Sequence, residues 1–306
     1  MALVRAAALA LSVGLLLPTT PAAAAVLPGA PDCPIFPATN VWNKRVDGLP
    51  VRADSERLKK SIGLDRQLHP DFSSISGGNY GIPYNVVGAK AKRYTIKFTY
   101  ADESDDGPYP IPARPKIENG SDRHLLVVER ASCRLYELFD ARRTASGGWR
   151  AGSGAIWDLR SNKLRPKGWT SADAAGLPIL PGLVRYDEVA AGIVSHALRF
   201  TAPRTRRAYI YPARHYASND DSRALPPMGL RVRLKASVSL RDFGPQARVV
   251  LRALKRYGMI LADNGSPWYV TGAPDPGWDD DDLRALHSIK GSDFEVVDTS
   301  GLRNGP

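Results

Sequence analysis

RHLLVVERASCRLYELF, residues 123–139, is the stretch that decides the fold. Two apolar runs, RHLLVVER (123–130) and CRLYELF (133–139), flank the dipeptide Ala131-Ser132. Such runs around so short a break predict two antiparallel strands joined by a tight turn. WRAGSGAIWDLR (149–160) predicts a glycine-containing strand that pairs beyond this hairpin. Further out, YTIKFTY (94–100) and LRVRLKASVSL (230–240) alternate as strands do, with Leu230, Val232 and Leu234 on one face. SHALRF (195–200) and AYIYP (208–212) are expected to form a second strand pair. Short strands at 259–262 and 268–271 surround the turn Asp263-Asn264-Gly265. Helical spacing is rarer. It appears at 54–63, at 245–257 (Val249, Val250, Leu254 and Tyr257 in one stripe, Gly258 as the stop) and at 279–289, with a helical turn at 186–191. Many short strands with few helices and no internal repeat predict a mainly β fold. The expectation is a β-sandwich or jelly-roll-like single domain over 51–306, with a few peripheral helices.

The first fifty residues read from composition. Residues 1–25 have a short positive start at Arg5, an apolar stretch of signal length and a small-residue end. They are expected to be a secretory signal peptide, because the apolar run is too short to span a bilayer. Residues 26–50, rich in Pro and Asn, are expected to be an extended arm. No later segment has the length of uncharged apolar sequence that a membrane helix needs, so an exported chain without a membrane span is expected. Its only cysteines, Cys33 and Cys133, are expected to form a disulfide in an oxidising compartment. No CxxC or CxxH spacing suggests a metal site, and no cofactor motif is present. The formal net charge of +11 suits acidic polymers, but the abundant Arg and Ala also read as the codon bias of a GC-rich genome, and charge alone does not select a partner. Nucleic acid is disfavoured, because the basic residues are dispersed along the chain and not gathered in one tract.

Residues 153–218 hold the chemistry. Two of the five histidines, His196 and His215, lie here with two of the six tryptophans, Trp157 and Trp169. Period two places Ile156, Asp158 and Arg160 on one strand face, where a carboxylate and a guanidinium can flank a bound sugar or anion. A structural Asp–Arg pair is the competing reading. If the strands at 195–200 and 208–212 pair, His196 and His215 approach each other and supply a base and an acid with Asp158. A two-His, one-carboxylate metal site from the same residues lacks any supporting local spacing. Asp158, His196, His215 and Asp173 are therefore the candidate catalytic residues, with Asp187 an alternative second carboxylate. Arg160, Trp169, Tyr211 and Arg214 are the candidate substrate-binding residues. Trp169, in the loop Lys167-Gly168-Trp169-Thr170-Ser171, is the aromatic most suited to stack on a sugar. Serine-nucleophile and phosphate-loop readings fail on setting and spacing.

Several long runs carry a resemblance. FPATNVWN (36–43), YADESDDGPYPIP (100–112), SGAIWDLRSN with GWTSADAAGLPILPGLVRYDEV, and ADNGSPWYVTGAPDPGWDDDDL (262–283) resemble a family of secreted, mostly actinobacterial proteins that is uncharacterised. Proteins of that kind are sometimes joined to carbohydrate-binding modules, so the resemblance implies a polysaccharide partner. It brings no catalytic assignment. The expected function is a secreted carbohydrate-active enzyme, a glycoside hydrolase or a uronic-acid polysaccharide lyase. The alternative is a non-catalytic module that binds cell-wall glycan.

Overall fold

The structure, a computed structural model, describes residues 26–303. The expected signal peptide lies outside the described residues. Among the described residues the protein is mainly β with four α-helices, and its strands are sorted into several sheets.

The decisive hairpin forms as expected. Strands Leu125–Glu129 and Arg134–Phe139 pair antiparallel, with Val127 opposite Tyr136, and residues 130–133 make the turn. Strand Ser153–Asp158 adds on one side and Tyr84–Val87, running parallel, on the other. Both faces of this sheet are covered. Leu126, Val128, Leu135 and Trp157 point into the large core, while Leu125, Val127, Tyr136 and Leu138 point into a second core with Tyr109 and Trp149. That is why Leu125–Glu129 is buried at every position and shows no polar face. The expected strand over 149–160 is split at Gly152. Trp149–Ala151 joins a separate three-stranded sheet with Ile96–Phe98, and only Ser153–Asp158 extends the hairpin. A glycine is required at 154, where a Cβ would lie 2.5 Å from the Tyr109 hydroxyl and 2.7 Å from the Phe98 ring.

The six-stranded sheet is mixed. Its order is Phe294–Val296, Arg231–Leu234, Met259–Asn264, Leu198–Ala202, Tyr269–Thr271 and His69–Asp71. Leu198–Ala202 runs parallel to Met259–Asn264, not beside residues 208–212, which are irregular. The expected second strand pair is therefore absent. The helix Pro245–Arg256 packs on Arg231–Leu234 with Val249, Val250 and Leu254 buried, and Gly258 stops the chain at φ +64°. Trp268 is fully buried between Phe200 and Phe294, with ring centroids 5.7 and 5.2 Å away and planes nearly parallel. Its indole donates to the Gly63 carbonyl at 2.7 Å.

The arm is fastened down. Cys33 and Cys133 form the expected disulfide across a sequence separation of 100 residues. Arg231, buried, donates to the carbonyls of Val41, Lys44 and Tyr257. Val51 bridges to Val297, and the Arg52 amide donates to Val296. Glu137 points into the large core. It accepts the Ile179 and Leu180 amides and the Trp157 indole, and burial pushes its carboxyl up to about 7.

Candidate functional site

The side chains singled out above do not meet in one groove. His196 precedes its strand and is buried. Its Nε2 lies 3.0 Å from Glu188 and its Nδ1 2.8 Å from the Ala197 carbonyl, so both ring nitrogens are engaged away from any cleft. Its approach to His215 fails because the strand pair that would have joined them does not exist. Asp173 is fully buried and holds Arg199 through both oxygens, at 2.7 and 2.9 Å. It is a structural counter-ion. The shared face of Asp158 and Arg160 is also absent. The strand ends at Asp158, whose carboxylate accepts the Arg160 amide at 2.9 Å in the following turn, and Arg160 is exposed. Tyr211 lies half-buried outside the cavities described below, and burial raises its phenol. Among the described residues no cluster of three or more His, Cys, Asp or Glu is placed to hold a metal ion. No helix among them is long and apolar enough to cross a membrane.

Two cavities, whose linings adjoin at Trp169-Thr170 and Arg214-His215, collect the remaining candidates. The first is a groove of about 700 Å³ that holds Asp158, Trp169 and Arg214 together with Arg134, Lys163 and Arg165. Arg165 forms part of its lining. Its guanidinium sits 5.7 Å from the Trp157 ring and 5.5 Å from the Trp169 ring, an arrangement that holds both indoles in place. It donates to the Thr170 carbonyl, the Asp105 carboxylate and the Glu103 carbonyl. Arg214 donates in turn to the Arg165 carbonyl at 2.8 Å. Arg134, Lys163, Arg165 and Arg214 outnumber Asp105 and Asp158 here, so the groove is cationic.

The second cavity, of about 350 Å³, is lined by Tyr100, Glu103, Ser153, Thr170, His215 and Asp263, among others. The His215 Nδ1 donates to the Ala174 carbonyl at 2.8 Å, which leaves Nε2 as the basic nitrogen. That Nε2 lies 3.8 Å from Glu103, and the ring stacks on Tyr216. Glu103 is oriented by the Thr170 amide at 2.9 Å. Asp263, next to last in the Met259–Asn264 strand, reaches the cavity from the six-stranded sheet. Burial, and then the charge of Asp173, push its carboxyl up to about 7. Arg199, 3.5 Å away, only partly offsets this, because Asp173 already holds it.

The support beneath the cavity is ionic. Burial opposes the Arg199 charge, yet Asp173 outweighs it and the guanidinium stays cationic. His124 sits between Glu118, at 2.6 Å, and the Ala172 carbonyl, at 3.1 Å. Both partners accept, so both ring nitrogens donate and the ring is an imidazolium. Burial works against it, but the Glu118 hydrogen bond holds its pKa above the usual histidine range. Asp263 and Glu103 escaped the sequence reading because each sits in what looked like loop. The only signal was an acid directly after four apolar residues, Met259 to Ala262. No family model, curated protein or solved structure matches the chain.

Proposed function

We propose that this protein is a secreted carbohydrate-active enzyme that cleaves an acidic polysaccharide. The observation that carries the reading is that His215, whose Nδ1 is held by a carbonyl, and Asp263, whose carboxyl is pushed up by burial and by Asp173, line one cavity beside a cationic, tryptophan-walled groove. The groove holds the polymer. Trp169 stacks on a sugar face, and Arg214 and Lys163 take carboxylates of neighbouring units. In the cavity His215 Nε2 removes the proton next to the carboxylate of a uronic acid unit. The bond to the leaving glycosidic oxygen breaks, a carbon–carbon double bond forms, and Asp263 gives its proton to that oxygen. His215 then loses its proton to water, and Asp263 regains one. Glu103, a second carboxylate on the same cavity, favours hydrolysis as the other reading, with Asp263 again the acid.

Incubation with a panel of uronic-acid polysaccharides tests this. Elimination gives new ultraviolet absorbance, and hydrolysis gives reducing ends without it. Asp263→Asn is expected to lower the rate by about a hundredfold or more, the usual share of a positioned acid. Wild-type activity is expected to fall as pH rises through about 7, as Asp263 loses its proton. Full activity in Asp263→Asn rules out the assignment. Binding without either product makes the protein a glycan-binding module.

A further inference from the structure

The helix Pro245–Arg256 turns a cationic face to solvent. After Ala247 it reads RVVLRALKR. Val249, Val250, Leu251, Ala253 and Leu254 are buried, and what remains is Arg248, Arg252, Lys255 and Arg256. At 3.6 residues per turn these four fall within about 100° of the helix circumference. Like charges four apart on a helix repel, and Arg248, Arg252 and Arg256 make two such pairs. Lys255 and Arg256 suit the negative end of the helix dipole, but Arg248, the fourth helical residue, stands near the positive end. Among the described residues none of the four has a carboxylate within ion-pair distance. The acids around the helix are engaged: Asp47 holds Arg45, Glu295 holds Arg233, and Asp282 accepts the Gln246 amide at 2.8 Å. Asp242, in the loop before the helix, is exposed and forms no pair with Arg248. Carbonyls hold Arg248 and Lys255 in place, those of Phe243 and Val238, each at 2.6 Å, and leave their charge uncompensated. Arg252 and Arg256 are exposed and line a pocket of about 280 Å³ against the turn Gly192–Val194, with no acid in its lining.

We infer that this face is an anchoring site for an acidic polysaccharide, separate from the groove that positions the polymer for cleavage. Arginines four apart on a helix lie about 6 Å from each other, so their guanidinium forks take acidic groups on neighbouring units of one extended chain. The pocket receives one such group between Arg252 and Arg256, and Arg248 and Lys255 continue the row. A membrane surface fits less well. The helix buries its apolar stripe in the core, and Ile193, 49% exposed, is the one apolar side chain of the pocket left to insert. Single-stranded nucleic acid also fits less well, because no aromatic ring lines the pocket or the exposed helix face for a base to stack on. The pocket shares no lining residue with the Trp169 groove or the His215 cavity, so it holds polymer without occupying the reacting site. The choice of a polysaccharide rests on the function proposed above; the cationic face does not.

Calorimetric titration of the full chain with polygalacturonate tests it. Arg252→Gln with Arg256→Gln is expected to weaken binding by about tenfold or more, the loss of two charge-assisted contacts. Lys97→Gln with Arg150→Gln removes the same charge from exposed partners on the three-stranded sheet and is expected to leave binding unchanged. Hydrogen exchange on the wild-type chain gives a readout that needs no variant: saturation with polymer is expected to slow exchange at 192–195. Cleavage of a short oligogalacturonate, held beside Trp169, is expected to keep its kcat/KM in the Arg252, Arg256 double variant. The two readings fail separately. Arginine-dependent binding without any product removes the cleavage and supports the anchor, whereas product with full affinity in that double variant overturns the anchor. The inference is also overturned if polygalacturonate does not bind, if both double variants weaken binding equally, or if 192–195 gains no protection. Binding of single-stranded DNA or anionic vesicles through Arg252 and Arg256 in place of the polysaccharide overturns it too.

Discussion

Replacing Asp263 by Asn should change how stability depends on pH. Burial and the neighbouring Asp173 raise the folded-state pKa of Asp263 from 3.8 to about 7. A raised acid pKa means that the folded state holds a proton that the unfolded chain releases. The stabilisation is therefore fully present below pH 3.8 and is lost as pH rises through about 7. Roughly three units at 1.36 kcal/mol each set a ceiling of about 4 kcal/mol, and water reaching the 23% exposed side chain lowers it. Asn cannot titrate, so the variant escapes the loss. The variant and the wild type should differ least near pH 4, and by pH 8 the balance should have moved toward the variant by up to about 4 kcal/mol. Glu137, raised to about 7 by burial, and the His124 imidazolium slope the same way in both proteins, so they cancel in the difference. Urea unfolding followed by circular dichroism from pH 4 to 8 gives the two curves. A difference that stays flat across that range would refute the placement of Asp263 beside Asp173 in a desolvated pocket.

Three further outcomes test the scaffold. Cys33→Ser with Cys133→Ser should lower unfolding free energy by about 5 kcal/mol, the chain-entropy value for a loop of roughly 100 residues; urea titration with and without reductant measures it. Arg199→Met leaves Asp173 buried without its partner and should cost about 3 to 5 kcal/mol, while adding Asp173→Leu should recover much of that. Thermal midpoints of the single and double variants decide it. Trp268→Ala empties the space between Phe200 and Phe294 and should cost about 3 to 5 kcal/mol in chemical denaturation.

What could be read from the sequence was local or covalent. The 123–139 hairpin carries its own turn, and the helix Pro245–Arg256 carries its own stripe and stop, so both stand where periodicity put them. The disulfide needed only two cysteines and an oxidising compartment. Strand partners chosen across long loops left no such mark. Leu198–Ala202 looked fit to pair with 208–212, but its hydrogen bonds go to Met259–Asn264 in parallel, and this choice alone separates His196 from His215. Glu137 carried no sequence signal of its role. On a half-exposed sheet it would face water, but this sheet has no exposed face, and the carboxylate became an acceptor for backbone amides. Within the candidate site, His215, Trp169 and Arg214 were legible as a polar and aromatic block around irregular chain. Asp263 was not, because its partners come from three distant segments.

The bridge from Val51 to Val297, with Arg52 bonded to Val296, has a temporal consequence. A polypeptide that emerges amino end first presents its opening segment long before the stretch that must lie against it. The Arg231 clasp on Val41 and Lys44 likewise waits for a side chain made much later. Until the seam near Val297 arrives, Val51 and Arg52 lack these partners, and this closure waits for the late strand.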